Sequence, residues 1–347
     1  MSINVTFLDV GNGDCIIISQ SNTSAVVVDV RSTRRLEKWL EDHEIKLIDC
    51  LYITHEHQDH FPSLTDFVTF IENWLKKDGT QVKRLCLPTE IIRNPNALIN
   101  NTNMDDAQKK RLQSALDKLD LWETRKILEI LRGERGSSPH TYGDIHIDIL
   151  HPFFSGFERQ NAKRPNSLNE TSVVLRIDYG AFRALLLADL ENSGISVLLE
   201  RYTDSDLRSQ LVKIPHHGAW PSNSDEFSQL LRIIDPELAI LSVGSKNQHG
   251  HVVPELFKEL LELKNGPSYR LDQFVCTEVT CTCIWDSIKR KANRHANLEQ
   301  AMPCAGDISI IAESTGTWTR EDTSRHAEIV KTIGFAACQG KLDIRQL

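Results

Sequence analysis

Short apolar runs separated by turn residues open the chain, at 5–10, 16–19, 25–30 and 48–54, and their length and composition predict four strands. Between the last two, Leu36, Trp39 and Leu40 recur at helical spacing within 34–43, so a helix able to cover the sheet joins them. A comparable series comes later at 145–150, 173–178, 184–188, 211–215 and 238–243, with helical segments near 193–202 and 224–234. Two such halves, each a sheet with helices outside, predict an α/β fold. Stacked, they make a four-layer αββα sandwich with a site where strand ends meet.

Between the halves, 101–134 is rich in Lys, Arg, Asp and Glu, and Leu112, Leu116, Leu119, Ile127, Leu128 and Leu131 fit one or two amphipathic helices. This reads as a solvated helical insertion, with a lid over the site as the functional alternative. Beyond 265 the pattern weakens to a hairpin-like stretch at 274–285, a strand at 307–312 and a helix around 321–333. The expected organisation is a core at 1–265, carrying the insertion at about 101–134, and a C-terminal appendage at 266–347 packed on that core.

At 347 residues the chain can bury a sizeable core. A formal charge of −8 argues against a protein that coats nucleic acid nonspecifically, so any such contact is local. No run approaches the ~20 apolar residues of a membrane span, and 1–9 lacks the basic stretch and apolar core of a signal peptide. The expectation is a cytoplasmic protein without membrane association. The eight cysteines are scattered, which suits reduced thiols. Cys276, Cys281, Cys283 and Cys304 lack a Cys-x-x-Cys knuckle and read as packing thiols rather than a zinc site. Lys289, Arg290, Lys291 and Arg294 form the clearest basic cluster, read as a solvated helix face. Gly11-x-Gly13 reads as a tight turn near the site.

The chemistry concentrates in His55-x-His57-x-Asp59-His60, directly after the strand expected at 48–54. Imidazole nitrogen and carboxylate oxygen are the ligands that Zn²⁺ or Mn²⁺ takes. In an extended loop His55 and His57 point the same way and chelate one ion, while Asp59 and His60, at the start of the following helix, reach a second. A second group repeats the strand-end pattern: Asp189 after 184–188, His216 and His217 after 211–215, His249 and His251 after 238–243. In an α/β sheet such ends converge on one crevice.

These motifs resemble those of metallo-β-lactamase-fold hydrolases. Phe7-Leu8-Asp9-Val10-Gly11-Asn12-Gly13-Asp14, Leu187-Ala188-Asp189-Leu190-Glu191, Lys213-Ile214-Pro215-His216-His217-Gly218, and Ser242-Val243-Gly244 followed by Gly250-His251 resemble the branch related to the soluble domain of the ComEC competence proteins. The resemblance runs from about Val5 to Glu255, with weaker likeness to Ala312, and implies a sandwich of the metallo-β-lactamase type with two divalent metal ions, Zn²⁺ or Mn²⁺. His55 and His57 would hold one ion, Asp59, His60 and His251 the other, with Asp189 between them. Many members place another histidine near 166–172, where this chain has none; His216 or His217 could fill the vacancy, and if neither does the first ion binds weakly. Ala188 stands where Gly is usual, and Phe61-Pro62-Ser63 replaces a Gly-Gly and reshapes the pocket mouth.

The resemblance implies a phosphodiesterase or nuclease in which two ions generate hydroxide from a shared water near neutral pH. Asp59 would orient that hydroxide, and whichever of His216 and His217 is not a ligand would stabilise developing charge or protonate the leaving oxygen. The same ions could serve a hydrolase of a carboxylic ester, thioester or lactone. A third class is a noncatalytic, metal-stabilised partner-binding module, as in an antiphage system. A phosphodiester or nucleic-acid substrate is the expected partner, and no protein partner is indicated.

Overall fold

The computed structural model describes residues 2–20, 22–93, 104–137, 140–153, 167–247, 249–280, 282–283, 301–333 and 336–340. Among them the first half supplies β1 (Ser2–Phe7), β2 (Ile16–Ser19), β3 (Ser24–Val28), β4 (Leu47–Tyr52), β5 (Gln81–Val82), β6 (Arg84–Pro88) and β7 (Glu129–Gly133). The second half supplies β8 (His140–Tyr142), β9 (Ile145–His151), β10 (Val174–Tyr179), β11 (Phe182–Leu186), β12 (Leu211–Lys213), β13 (Leu238–Leu241), β14 (Gln273–Cys276), β15 (Ile308–Glu313) and β16 (Trp318–Arg320). One sheet runs β16-β15-β1-β2-β3-β4-β6-β7 with β5 beside β4, and the other runs β14-β13-β12-β11-β10-β9-β8.

Side-chain alternation explains the layering. On β1, Ile3, Val5 and Phe7 face the second sheet, where Leu175, Ile177, Leu238 and Ile240 meet them. The opposite set, such as Ile17, Val27 and Leu51, turns outward against the helices Thr33–Asp42, Leu64–Leu75 and Asp106–Thr124. Val212, Ala239 and Leu241 do the same against Asn192–Arg201, Ser224–Ile234 and Pro254–Asn265. The result is the four-layer αββα sandwich of the metallo-β-lactamase type. No described helix is long and apolar enough to cross a membrane.

Three local readings change. Asp59 and His60 do not start a helix: Pro62 and Ser63 intervene, and Ser63 Oγ caps Leu64–Leu75 by accepting from Asp66 N at 3.0 Å. Before it, His60 N and Phe61 N both donate to His57 O, at 3.0 and 2.8 Å, closing a turn. In the insertion, Asp106–Thr124 is one helix, with Leu112, Ala115, Leu119 and Trp122 buried. Leu131 belongs instead to β7, which pairs in parallel with β6 as an edge strand. Its four-residue spacing from Ile127 mimics a helix because a short strand and a helical turn share such intervals. The hairpin expected at 274–285 is, in its described part, the parallel edge strand β14 on β13. The region expected as an appendage contributes β14, β15 and β16 to the two sheets, with β15 antiparallel to β1. The basic cluster at 289–294 and Cys281 lie outside the described residues.

Candidate metal centre

Parallel strands β3, β4, β11 and β12 end on one side of the sandwich and run into Asp29, 54–60, Asp189 and 214–218. Thr54 is pinned first: its N–H and its hydroxyl donate to Asp29 Oδ1 and Oδ2, both at 2.8 Å. With its proton committed to Asp29, Thr54 Oγ1 accepts from His55 Nδ1 at 3.1 Å, which leaves His55 Nε2 free of a proton and facing the crevice. Asp29 Oδ2 also accepts from His60 Nδ1 at 2.7 Å. His217 Nδ1 donates to Ser242 O at 2.8 Å. Such outer partners fix imidazole orientation at metal centres.

The inward atoms form two groups, each with its ligand atoms within 4.8 Å of one another: His55, His57 and Asp189, and Asp14, His60, Asp189 and His217. His55 Nε2 lies 3.2 Å from His57 Nδ1 and 3.8 Å from Asp189 Oδ2. His60 Nε2 lies 2.9 Å from Asp189 Oδ1 and 3.2 Å from His217 Nε2. Asp189 is the shared member. Asp59 borders the second group, its Oδ2 3.3 Å from His217 Nε2 and accepting from Asn12 Nδ2 at 3.3 Å.

His216 and His217 separate. Both take left-handed backbone, at φ +48° and +51°, a costly conformation for residues with a Cβ that concentrates at functional sites. This turn sends His217 inward and His216 outward, where its Nδ1 meets Glu191 Oε1 at 3.0 Å. Asn169 Nδ2 holds that carboxylate at 2.8 Å. His251 packs its ring 5.3 Å from that of His216 and lies outside both groups, as does His249 beside it. Ala188 also has positive φ, +47°, which accounts for the Gly expected there; its carbonyl accepts from Lys213 Nζ and His216 N, both at 3.0 Å.

Four residues beyond the sequence-derived set complete the centre: Asp14, Asp29, Glu191 and Lys213. The rule that found Asp189, an acidic residue just past a strand, applies equally to Asp29 after β3. Asp14 reaches the site because Gly13 lacks a side chain. A Cβ there would stand 2.2 Å from Asp59 O, the same carbonyl that accepts from Asp14 N at 3.1 Å. Lys213 is fully buried, ion-paired with Asp14 and 3.8 Å from Asp189 Oδ1.

Burial opposes charge on every group here, and neighbours decide the outcome. Burial lowers His60, but Asp189 and Asp29 on its two nitrogens outweigh it and hold the imidazole well above its ordinary range. Burial raises Asp189, yet His60 and His217 keep it well below. Burial and His60 together push His55 well down. Asp59 is lowered against its burial, mainly by His217.

Asp14 Oδ1 is buried and receives no hydrogen bond. A buried carboxylate oxygen without a hydrogen bond, close to Asp59, Asp189 and the imidazoles of His60 and His217, calls for a cation, and this oxygen and nitrogen donor set fits a hard-to-borderline divalent ion. Cys276, Cys283 and Cys304 instead pack in apolar clusters, and no thiol joins a metal-sized group among the described residues.

No family model matches the chain. It is 26% identical over 289 residues to ComE operon protein 3 of Bacillus subtilis (strain 168), covering 78% of this chain and 32% of that protein. It is 33% identical over 95 residues to competence protein ComA of Neisseria gonorrhoeae, covering 27% of this chain and 13% of that one. The chain thus spans a third or less of these curated relatives. Among solved structures it is similar to the metallo-beta-lactamase fold protein YhfI of Bacillus subtilis, at 13% identity and a TM-score of 0.46, covering 80% of this chain and 96% of that one. In its four layers, its motif order and its likeness to ComE operon protein 3 the chain is similar to metallo-β-lactamase-fold proteins of the ComEC branch, and it brings together two groups of His and Asp side chains able to hold a metal ion.

Proposed function

We propose that this protein is a metal-dependent phosphodiesterase, the chemistry expected of a nuclease. The observation that carries the reading is the division of the centre: two groups able to hold an ion share Asp189, while the His216–Glu191 pair, 3.0 Å apart, lies outside both. His55, His57 and Asp189 would hold one divalent ion, and Asp14, His60, Asp189 and His217 the other, with Asp59 beside them. When bound, such ions supply Lewis acidity and lower the pKa of water.

The chain's own groups do the rest. Asp59, kept ionised by His217 and oriented by Asn12, accepts a hydrogen bond from the attacking water and aims it, and the proton released as the water oxygen bonds to phosphorus passes by way of this half-exposed carboxylate to solvent. As the bond from phosphorus to the leaving oxygen breaks, His216 gives its proton to that oxygen, and Glu191 compensates the imidazolium beforehand. Asn169 keeps Glu191 in place.

The test uses leaving groups of different basicity. His216→Ala should lose about 10²–10³-fold on dialkyl phosphodiesters, whose alkoxide needs a proton, and under about tenfold on bis-p-nitrophenyl phosphate, whose phenolate does not. Equal losses on both substrates would remove His216 as the acid. Asp59→Ala, checked for folding and metal content, should lose about 10³-fold or more on both. Wild-type protein loaded with Zn²⁺ or Mn²⁺ that cleaves no phosphodiester overturns the reading.

A further inference from the structure

A cleft of about 530 Å³ opens beside the candidate centre. One wall is the metal-binding loop itself, through Glu56 and Gln58, which alternate with His55, His57 and Asp59. The opposite wall is the insertion helix Asp106–Thr124, through Gln108, Arg111 and Leu112. The floor between them is apolar: Phe61 and Leu64 are buried at 5%, Leu112 at 6%. Phe61 is fixed edge-on against Phe67, with ring centroids 5.2 Å apart. The Phe61-Pro62-Ser63 segment, where the family carries glycines, thus lines the mouth of this cleft.

Three properties define what fits. The volume suits one small organic unit rather than an extended chain. The apolar floor accepts a flat or hydrophobic face, and the Gln58 amide, with the Gln108 amide nitrogen, whose oxygen accepts from Asp105 N at 2.9 Å, offers hydrogen bonds to a heterocyclic edge. Arg111 is exposed and makes no ion pair among the described residues, so its guanidinium is available to an anion at the rim. A fatty acyl chain would leave the amides and the cation idle. A bare polyanion would leave the floor idle.

On the phosphodiesterase reading, we infer that this cleft is the subsite for the part of the substrate retained after cleavage, and that it takes a single ring-bearing unit with an anionic group of its own, the chemistry of a nucleoside monophosphate. Its position supports the retained side: the proton donor His216 lines a different pocket, of about 190 Å³, walled by Trp220 and Pro221. The ring would lie over Phe61 and Leu112, with its anion on Arg111. Specificity in this chain would then be set largely by its insertion.

Calorimetric titration with 5′-AMP, adenosine and inorganic phosphate tests this on wild type, Arg111→Ala and Thr65→Trp, the last filling the cleft from the first turn of Leu64–Leu75. Thermal melts establish that both variants are folded. Wild type should bind 5′-AMP at least about tenfold more tightly than either adenosine or phosphate, since ring and anion act together. Arg111→Ala should weaken 5′-AMP about tenfold and adenosine less than about threefold, and Thr65→Trp should weaken both ring-bearing ligands about tenfold. Equal 5′-AMP affinity in all three folded proteins, or no 5′-AMP binding by wild type, overturns the inference. That result is independent of turnover: binding as expected without any phosphodiester hydrolysis overturns the catalytic reading and leaves the subsite standing.

Discussion

Asp189 is the only side chain common to both ligand groups among the described residues, and it is fully enclosed. Asp189→Asn keeps the shape and removes the charge that balances His60, His55 and His217. Metal affinity should fall at least about 100-fold at both positions, beyond the loss typical of an outer-shell change, and metal analysis should give well under two ions per chain. Retention of two ions would show that the groups do not share this ligand. Lys213 makes the complementary case. Its buried ammonium offsets Asp14 and Asp189, so Lys213→Met should cost about 3–5 kcal/mol in urea denaturation of metal-free protein. Added Zn²⁺ or Mn²⁺ should recover part of that loss, because bound cations then supply the missing charge and favour the folded state. These residues differ in how legible they are in the sequence. The His-x-His-x-Asp-His motif announces itself because several ligand types crowd one loop. Asp29 follows the same strand-end rule as Asp189, whereas Lys213 acts through burial and its pairing with Asp14, which no local pattern encodes.

At the scale of elements, strands buried on both faces were legible and edge strands were not. β2, β3 and β13 are covered by the other sheet on one face and by helices on the other, so they survive in the sequence as short apolar runs. β7, β8 and β16 are short and border polar surroundings, and β8 is held through polar contacts instead. His140 on β8 bridges the two sheets: its Nδ1 meets Tyr52 Oη at 2.9 Å, and its Nε2 donates to Asp49 Oδ1 at 2.8 Å, both partners on β4. Lys83 Nζ adds a bond to Asp49 at 2.8 Å, and Arg84 pairs with the same carboxylate. Burial alone would raise Asp49, but His140, Lys83 and Arg84 hold it well below the usual carboxylate range. A depressed folded-state pKa means stability that is present above the unfolded value of about 4 and is lost as pH falls below it. Asp49→Asn should therefore lower Tm by several degrees at pH 7, with the gap to wild type closing progressively below about pH 4. A gap constant from pH 7 to pH 3 would show that packing, not the charge, sets the contribution.

For the whole molecule, the decisive question is whether the chain after 265 is an addition or a part of the sandwich. Sequence patterning alone suggests an addition, because apolar periodicity fades there and the thiols and charges are irregular. Physically, β15 pairs with β1 at the other end of the chain, and such long-range pairing leaves no local trace. β15 lies between β16 and β1, its residues Ile310 and Ala312 opposite Val5 and Ile3, with Ile308, Ile310 and Ala312 buried in the layer between the sheets. β14 closes the far edge of the second sheet against β13. Ser245 N donates to Glu278 Oε2 at 2.6 Å, tying the loop after β13, close to the centre, to the residues after β14. A chain ending at Asn265 would expose the β1 edge, strip one side of the inter-sheet core and open an unpaired strand to association. The apolar burial lost at Ile308, Ile310 and Ala312, together with a full ladder of strand hydrogen bonds, rivals the ~5–15 kcal/mol that holds a typical domain folded. Residues 1–265 expressed alone should be insoluble or melt without cooperativity. The sensitive comparison is a second truncation, ending after Arg320, which keeps β14, β15 and β16 and removes the helix Ser324–Thr332 with the rest of the C-terminus. That protein should be soluble and melt cooperatively, although less stable through the lost cover over Val279 and Cys304. A cooperative transition and metal binding in 1–265 would instead establish the earlier boundary as the true edge of the folding unit.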